Sequence, residues 1–140
     1  MQNKIRIVID TNILFVSVSR KSKSHWLFEK FLNKEFDICI TNEILTEYEE
    51  IMTNRLPHIL KDYVIDILIL SKNVIKVIPY FNWNLITTDP DDNKFVDCAV
   101  AGNVDYIVTN DKHFDVLKQV EFPKINVINI DQFKELFPQP

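Results

Sequence analysis

Apolar residues follow two different periods along the chain, and the first of them predicts strands. Short runs rich in β-branched and other apolar residues occupy five segments, each bounded by polar residues. Such runs are typical of buried strands. The predicted strands cover residues 4–9, 36–40, 74–79, 105–109 and 124–130.

The second period, in which apolar residues recur every three or four positions, predicts helices between the strands. Pro57 interrupts one helical stretch and Gly102 follows another, as these residues often do at helix ends. The predicted helices cover residues 24–33, 41–55, 59–71, 90–102, 114–119 and 132–137. Because helices alternate with strands, we predict an α/β fold with a parallel sheet covered on both faces.

Small polar residues precede several of these helices. We interpret Ser24, Asp89 and Asp131 as N-caps, because their side chains can accept hydrogen bonds from the first free amides of a helix. Pro90 follows Asp89 at the first helical position, which strengthens that helix start. Residues 80–88 match neither period, so we predict an irregular connection there.

Length and composition indicate a single globular domain spanning residues 1–140. The chain is 46% hydrophobic and 26% charged, which excludes disorder over most of its length. No apolar stretch approaches the roughly 20 residues that a membrane-spanning helix needs. The positions of Cys39 and Cys98 suit neither a disulfide framework nor a zinc site. We therefore expect a soluble protein of the reducing cytoplasm with no membrane partner.

The charge and the glycine content exclude some kinds of binding site. A net charge of -4 argues against binding nucleic acid through bulk positive charge alone. Gly102 is the one glycine in 140 residues. Neither the Walker loop nor the dinucleotide-binding fingerprint can be built with one glycine, so chemistry that uses those motifs is excluded.

Acidic residues follow several of the predicted strands. Asp10 and Asp111 come directly after strands, and Asp92 lies in the first turn of the predicted 90–102 helix. Glu47 lies about one turn into the helix after the second strand. In open parallel sheets the functional site lies beyond the carboxyl ends of the strands. We therefore expect these four acids to converge at one edge of the sheet.

Several carboxylates in one cleft repel each other and take up protons unless a cation compensates them. Carboxylate oxygens are hard ligands that suit Mg²⁺ or Mn²⁺. A water bound to such an ion becomes a nucleophile near neutral pH, while the same or a second ion stabilises charge on a phosphate. The acids therefore predict metal-assisted chemistry.

Other chemically distinctive side chains have structural interpretations. The three histidines have no spacing that is typical of a metal site, so we interpret all three, including His113, as surface or capping residues. Trp26, Phe28 and Phe31 recur at helical spacing. This spacing favours a core or dimer surface over a platform for stacking bases.

Four segments, taken in order, resemble the successive motifs of a known family. They are residues 7–12, 41–48, 89–95 and 105–111. Together they resemble PIN-domain ribonucleases, and most of all the toxin components of bacterial toxin–antitoxin systems related to VapC. The resemblance extends from Arg6 to about Ile130, which is nearly the whole chain.

The resemblance implies a three-layer α/β/α PIN-like domain with a central parallel sheet, whose acidic cleft binds Mg²⁺ or Mn²⁺ and hydrolyses RNA. Carried over by position, Asp10, Glu47, Asp92 and Asp111 are its catalytic acids and metal ligands. Asp97 lies in the same helix as Asp92 and is a second candidate for the third acid, although Asp92 fits the motif spacing better. The number of ions, one or two, stays open.

The resemblance also implies supporting residues and partners. Asn12 and Thr109 would orient the acids. The basic segment that contains Arg20, Lys21 and Lys23 is a candidate contact for the RNA backbone, and its alternative is a solvated loop. A homodimer and a small antitoxin bound in or beside the cleft are the expected protein partners.

Two other functions stay open. Carboxylates after parallel strands also build haloacid-dehalogenase-type phosphohydrolases, which act on small phosphate esters. The second aspartate of such a site, two residues after Asp10, is replaced here by Asn12. The third function is a catalytically inactive PIN-fold interaction domain whose cleft is closed by a partner protein.

Overall fold

A five-stranded, all-parallel sheet forms the centre of the fold in the computed structural model, which describes residues 4–138. The strands lie in the order β3-β2-β1-β4-β5. The chain builds outward from β1 to β3 and then returns to place β4 on the other side of β1. The topological switch point, where sites form in such sheets, therefore lies between β1 and β4. The strands are β1 (Arg6–Ile9), β2 (Asp37–Ile40), β3 (Val74–Lys76), β4 (Tyr106–Val108) and β5 (Val127–Ile128).

Helices cover both faces of this sheet and give the three-layer α/β/α architecture. Successive side chains of a strand point to opposite faces of the sheet. Because Ile7, Val8 and Ile9 are all fully buried, both faces are covered at β1. Two 3₁₀ helices, Pro90–Asp92 and Lys112–Gln119, lie before α5 and after β4. The α-helices are α1 (Thr11–Val18), α2 (His25–Leu32), α3 (Asn42–Arg55), α4 (His58–Leu70), α5 (Asn93–Ala101) and α6 (Ile130–Glu135).

Helix α1 is the element that the sequence patterns did not predict. Its sequence Thr-Asn-Ile-Leu-Phe-Val-Ser-Val is apolar around most of its circumference and contains four β-branched residues, so it shows no clear helical period. The Asp10 side chain caps it by accepting a hydrogen bond from the Asn12 amide at 3.4 Å. Burial of Leu14 and Val18 against the core stabilises the helix in spite of its weak local signal.

Of the three predicted N-caps, Ser24 and Asp89 lie at the N-cap position without a capping hydrogen bond from their side chains, and Asp131 is not the N-cap. Ser24 precedes α2, and Asp89 precedes the Pro90–Asp92 turn. Helix α6 begins two residues earlier than predicted. Asn129 caps α6 in a reciprocal pair with Gln132, which places Asp131 inside the first turn.

The outer strands are shorter than predicted. The structure ends β3 at Lys76 rather than at residue 79, and β5 has two residues rather than the seven of the predicted segment 124–130. Each of these strands lies at an edge and pairs with one neighbour. Short edge strands limit unwanted pairing with other chains. Residues 77–89 then form the irregular connection to α5.

The aromatic residues of α2 belong to the core. Phe28 and Phe31 are buried, and Trp26 packs against Phe133 and Phe137 with ring centroids 6.1 and 6.5 Å apart. Of the two interpretations left open, core or dimer surface, the structure therefore supports the core. Within residues 4–138 no helix is long and apolar enough to cross a membrane.

Candidate active site at the carboxyl edge of the sheet

Asp10 lies at the topological switch point. It follows β1, and its amide donates a hydrogen bond to the Val108 carbonyl on β4 at 3.1 Å. Burial raises the pKa of Asp10 above its ordinary value of 3.8 and outweighs the opposing hydrogen bond from Thr109. The charges of Asp111 and Glu47 add to the rise. The structure therefore brings three of the predicted acids within electrostatic reach of each other.

The Thr109 hydroxyl joins two of these acids. It donates to Asp10 Oδ2 at 2.7 Å and accepts from the Asp111 amide at 2.9 Å. Asp111 in turn caps the Lys112–Gln119 helix by accepting from the His113 amide at 2.9 Å. Because Thr109 is 3% exposed, its hydroxyl is held in one place. The residue thus orients both carboxylates, although 99 positions separate Thr109 from Asp10.

Asp92 carries a buried oxygen that has no hydrogen bond. It ends the Pro90–Asp92 turn, and its Oδ2 has no hydrogen-bond partner in the described part of the chain. Burial, with smaller contributions from the charges of Asp89, Asp111 and Asp10, raises the pKa of Asp92 from 3.8 to about 6 against the opposing effect of His113. Native proteins rarely leave a buried polar atom unpaired without a functional reason. The atom has the chemistry of an available metal ligand.

Glu47 lies at the other side of the same group of acids. The neighbouring residue Tyr48 is fully buried and donates from its hydroxyl to the Ile9 carbonyl at 2.6 Å, which fixes α3 against the end of β1. Glu47 Oε2 accepts a hydrogen bond from the Thr11 hydroxyl. Glu47 Oε1 forms an ion pair with Lys94 Nζ at 2.5 Å. Both carboxylate oxygens of Glu47 therefore already have partners within the protein.

Lys94 is a residue of this site that sequence reasoning missed. Its side chain is 8% exposed, and its ammonium also pairs with Asp91 at 3.0 Å. Burial by itself lowers the pKa of Lys94, but the hydrogen bonds to Glu47 and Asp91 outweigh it and leave the pKa raised above 10.5. The ammonium is therefore charged at neutral pH. Its position two residues after Asp92 was the available signal in the sequence.

His113 also lies beside the acids, where the sequence interpretation had placed a surface or capping residue. Its Nδ1 is 3.3 Å from Asp111 Oδ1 and 3.8 Å from Asp92 Oδ2. Together Asp89, Asp92 and His113 offer ligand atoms that all lie within 4.8 Å of one another. Asp89, which we interpreted as a helix cap, thus borders the cleft. The position of His113 two residues after Asp111 would have indicated this proximity.

The structure separates Asp97 from the other acids. Its Oδ1 accepts a hydrogen bond from the Trp83 amide at 2.9 Å, and the residue is 7% exposed. Burial raises its pKa. Five residues of helix rotate a side chain by about 140°, so Asp97 faces the 77–89 connection while Asp92 faces Asp10. Of the two candidates for the third acid, Asp92 is the one that lies in the cleft.

The remaining predicted site residues lie at or beyond the edge of the cleft. Asn12 is exposed, and its contact with Asp10 comes from its backbone amide. Arg20, Lys21 and Lys23 are exposed in the turn after α1. Because α1 begins at the cleft and has eight residues, this basic segment lies about 12 Å away along the helix axis.

A cleft of about 400 Å³ adjoins the acids beyond β4 and β5. Its walls include Asp111 and Asn110 as well as Lys112 and Lys118. The two lysines were not singled out in the sequence. Lys112 directly follows Asp111, whereas Lys118 pairs at 3.2 Å with Asp115, which lines the same cleft.

The residues present fit a hard divalent cation. The ligand atoms of Asp89, Asp92 and His113 lie within 4.8 Å of one another, and Asp10 and Asp111, which raise the pKa of Asp92 through their charges, could add carboxylate oxygens. Asp92 Oδ2 has no hydrogen bond within the residues described. Oxygen ligands of this kind, with waters completing the shell, are what Mg²⁺ and Mn²⁺ prefer. Their mutual repulsion, which is reflected in the raised pKa of Asp92, would be relieved by a cation.

A family model described as "PIN domain" matches residues 6–113, which contain the whole acidic cluster. A comparison with curated proteins gives no match.

Similar solved structures share the fold at low sequence identity. The structure of VapBC2 from Rickettsia felis, bound to a DNA fragment from its promoter, has a TM-score of 0.61 at 18% identity and covers 89% of this chain and 98% of that chain. FitAcB from Neisseria gonorrhoeae has a TM-score of 0.55 at 14% identity, covering 89% and 97%. The PIN domain endonuclease Utp24 has a TM-score of 0.52 at 17% identity, covering 89% and 84%.

Proposed function

The chain belongs to the PIN domain family, and from this premise we propose that it is an endoribonuclease that depends on Mg²⁺ or Mn²⁺. The observation that carries the proposal is the buried Oδ2 of Asp92, which has no hydrogen bond within residues 4–138 and is affected by the charges of Asp10 and Asp111. A cluster of carboxylates at the switch point of a parallel sheet suits hydrolysis of phosphate esters with a divalent ion.

In this proposal Asp10, Asp92 and Asp111 hold the ion, and Glu47 is the fourth acid of the cleft. When bound, the ion supplies an activated water and stabilises charge on the phosphate. Thr109 keeps Asp10 and Asp111 in position through its two hydrogen bonds. No histidine is required as general base, although His113 lies within reach of the same phosphate.

The substrate is proposed to be RNA, whose backbone must be held against an acidic centre. Lys112 and Lys118 line the adjoining cleft and can contact phosphates next to the scissile bond. Arg20, Lys21 and Lys23 are exposed farther away and can contact the RNA at a distance of several nucleotides. RNA binding through these separate basic side chains does not require the whole protein to carry a net positive charge.

We also propose that the protein is the toxin of a toxin–antitoxin pair and works in the cytoplasm. The resemblance of its motifs to VapC-related toxins supports this, together with the similarity to VapBC2 and FitAcB. Exposed apolar residues on α4, among them Ile59, Tyr63 and Leu70, offer contact surface for an antitoxin or for a homodimer. Size-exclusion chromatography with light scattering would measure the oligomeric state.

Cleavage of labelled single-stranded RNA tests the proposed reaction. The wild type is assayed with Mg²⁺, with Mn²⁺ and with EDTA, beside Asp10→Asn and a matched control, Asp66→Asn, which alters an exposed aspartate on α4. We expect metal-dependent cleavage that is lost in Asp10→Asn and retained in Asp66→Asn. Equal cleavage by Asp10→Asn would identify a contaminating nuclease.

The same preparations distinguish the two other functions. Hydrolysis of a small chromogenic phosphate ester without cleavage of RNA would replace the nuclease by a phosphohydrolase. A folded wild type that cleaves neither substrate would favour the inactive interaction domain.

A further inference from the structure

The four acids of the cleft differ in how many of their carboxylate oxygens have hydrogen-bond or ion-pair partners within the protein. Both oxygens of Glu47 are engaged, one by the Thr11 hydroxyl and the other by the Lys94 ammonium. Asp92 Oδ2, in contrast, is buried without a hydrogen bond within the described residues. The acidic cleft therefore has a satisfied side at Glu47 and an unsatisfied side at Asp92.

Lys94 is built into the satisfied side. Its first-turn position on α5 directs it toward α3, where its ammonium lies 2.5 Å from Glu47 Oε1 and 3.0 Å from Asp91 Oδ1. The ammonium also lies 5.8 Å from the centre of the Phe95 ring. With its side chain only 8% exposed, Lys94 is screened far less by water than an ordinary surface lysine.

We propose that the Lys94 ammonium is the permanent counter-cation of Glu47, so that Glu47 does not take a divalent ion and the cleft would hold a single ion on Asp10, Asp92 and Asp111. The inference rests on the proposed metal-dependent function and deepens it. Lys94 is then a positioning residue that acts through Glu47, and it determines how many ions the cleft accepts.

The charges of the cleft support a single ion. Lys94 pairs with Glu47 and Asp91, which leaves the carboxylates of Asp10, Asp92 and Asp111 to be compensated by a divalent ion. A second divalent ion at Glu47 would lie against the ammonium, which is 2.5 Å from Glu47 Oε1, or would leave the ammonium with Asp91 as its remaining partner. Either arrangement costs energy, because water screens the charges poorly around the Lys94 side chain, which is 8% exposed.

Titration of the metal-free protein with Mn²⁺ tests the inference through binding rather than activity. Isothermal titration calorimetry and electron paramagnetic resonance count the ions bound by the wild type, Lys94→Met, Lys94→Arg and a matched control, Lys61→Met. Lys61 also pairs with an aspartate, at 2.8 Å, but lies on α4 outside the cleft. Thermal melting establishes that each variant is folded.

We expect one Mn²⁺ per chain in the wild type, in Lys94→Arg and in Lys61→Met. Lys94→Met is expected to bind a second ion, and two ions roughly 3.5–4 Å apart would show magnetic coupling in the resonance spectrum. Two ions in the wild type, or one ion in Lys94→Met, would overturn the inference. A folded wild type that binds no Mn²⁺ would instead overturn the proposed metal site itself.

A second pair of variants decides the matter if Lys94→Met does not fold. Glu47→Gln removes the partner of Lys94 and is expected to leave the affinity for the first ion within about threefold of wild type, whereas Asp92→Asn should weaken it at least about tenfold. An equal loss in both variants would mean that Glu47 is itself a ligand, and the counter-cation role of Lys94 would be wrong.

Discussion

Asp92→Asn should stabilise the fold at neutral pH while removing the proposed metal site. Asp92 has a side chain that is 15% exposed and a pKa raised from 3.8 to about 6 by burial and by the neighbouring acids Asp89, Asp111 and Asp10. Asparagine has nearly the same shape but no charge. The substitution therefore removes the repulsion that the folded protein tolerates at this position.

The size of the effect follows from the pKa. Each pKa unit corresponds to about 1.4 kcal/mol, so a rise from 3.8 to about 6 corresponds to at most about 3 kcal/mol. Because water enters the open cleft and screens the charges, we expect about 1–2 kcal/mol. For a chain of this size that is a rise in Tm of about 3–8 °C.

The sign depends on pH. Because the folded pKa lies above the unfolded one, the charged form is disfavoured in the folded state, and wild-type stability falls as pH rises from about 4 through about 6. Asp92→Asn should therefore gain its full advantage at pH 8 and lose it near pH 4. Urea denaturation at both values, in EDTA, measures this difference, with Asp66→Asn as the control.

Metal reverses the order of stability at pH 8. An ion at a concentration of 100 times its dissociation constant stabilises the wild type by about 2.7 kcal/mol, and we expect little such gain in Asp92→Asn. The reasoning is refuted if Asp92→Asn is less stable than wild type at pH 8 in EDTA. It is equally refuted if the variant has the same advantage at both pH values.

Two further substitutions test the geometry of the site. Asp97→Asn keeps the acceptor for the Trp83 amide and removes a charge outside the cleft, so we expect Mn²⁺ affinity by calorimetry to stay at the wild-type value; a loss like that of Asp92→Asn would return Asp97 to the site. Thr109→Val removes the hydroxyl that joins Asp10 to Asp111, and we expect the free energy of unfolding to fall by about 1–3 kcal/mol and RNA cleavage by about 10–100-fold. Thr109→Ser keeps the hydroxyl and should keep both properties, whereas equal losses in Val and Ser variants would assign the effect to packing.

Local patterns determined most of the secondary structure. The apolar runs and helical periods predicted all five strands and every helix except α1, with errors mainly at the ends. Whether a segment forms a helix or a strand depends on which of its side chains are buried. The spacing of apolar residues along the sequence indicates those positions directly. Element ends depend on caps and edge pairing, which is why Asn129 rather than the predicted Asp131 caps α6 and why β3 and β5 are shorter than predicted.

The positions of the acids were predictable for a related reason. Asp10 and Asp111 follow strands of a parallel sheet, and the carboxyl ends of such strands share one edge. The structure brings both to the switch point with Thr109 between them. Their roles in metal binding and catalysis stay predictions that the proposed experiments test.

The sequence by itself thus determined the fold class, the family and the edge of the sheet at which the acids lie, because each follows from patterns local to the chain or from motifs in order. Only the tertiary structure placed Asp92 rather than Asp97 within electrostatic reach of Asp10, paired Lys94 with Glu47 and brought His113 close to Asp92. Helix rotation and contacts between distant segments set these relations. Such contacts depend on the packing of the completed fold, and no local period in the sequence encodes them.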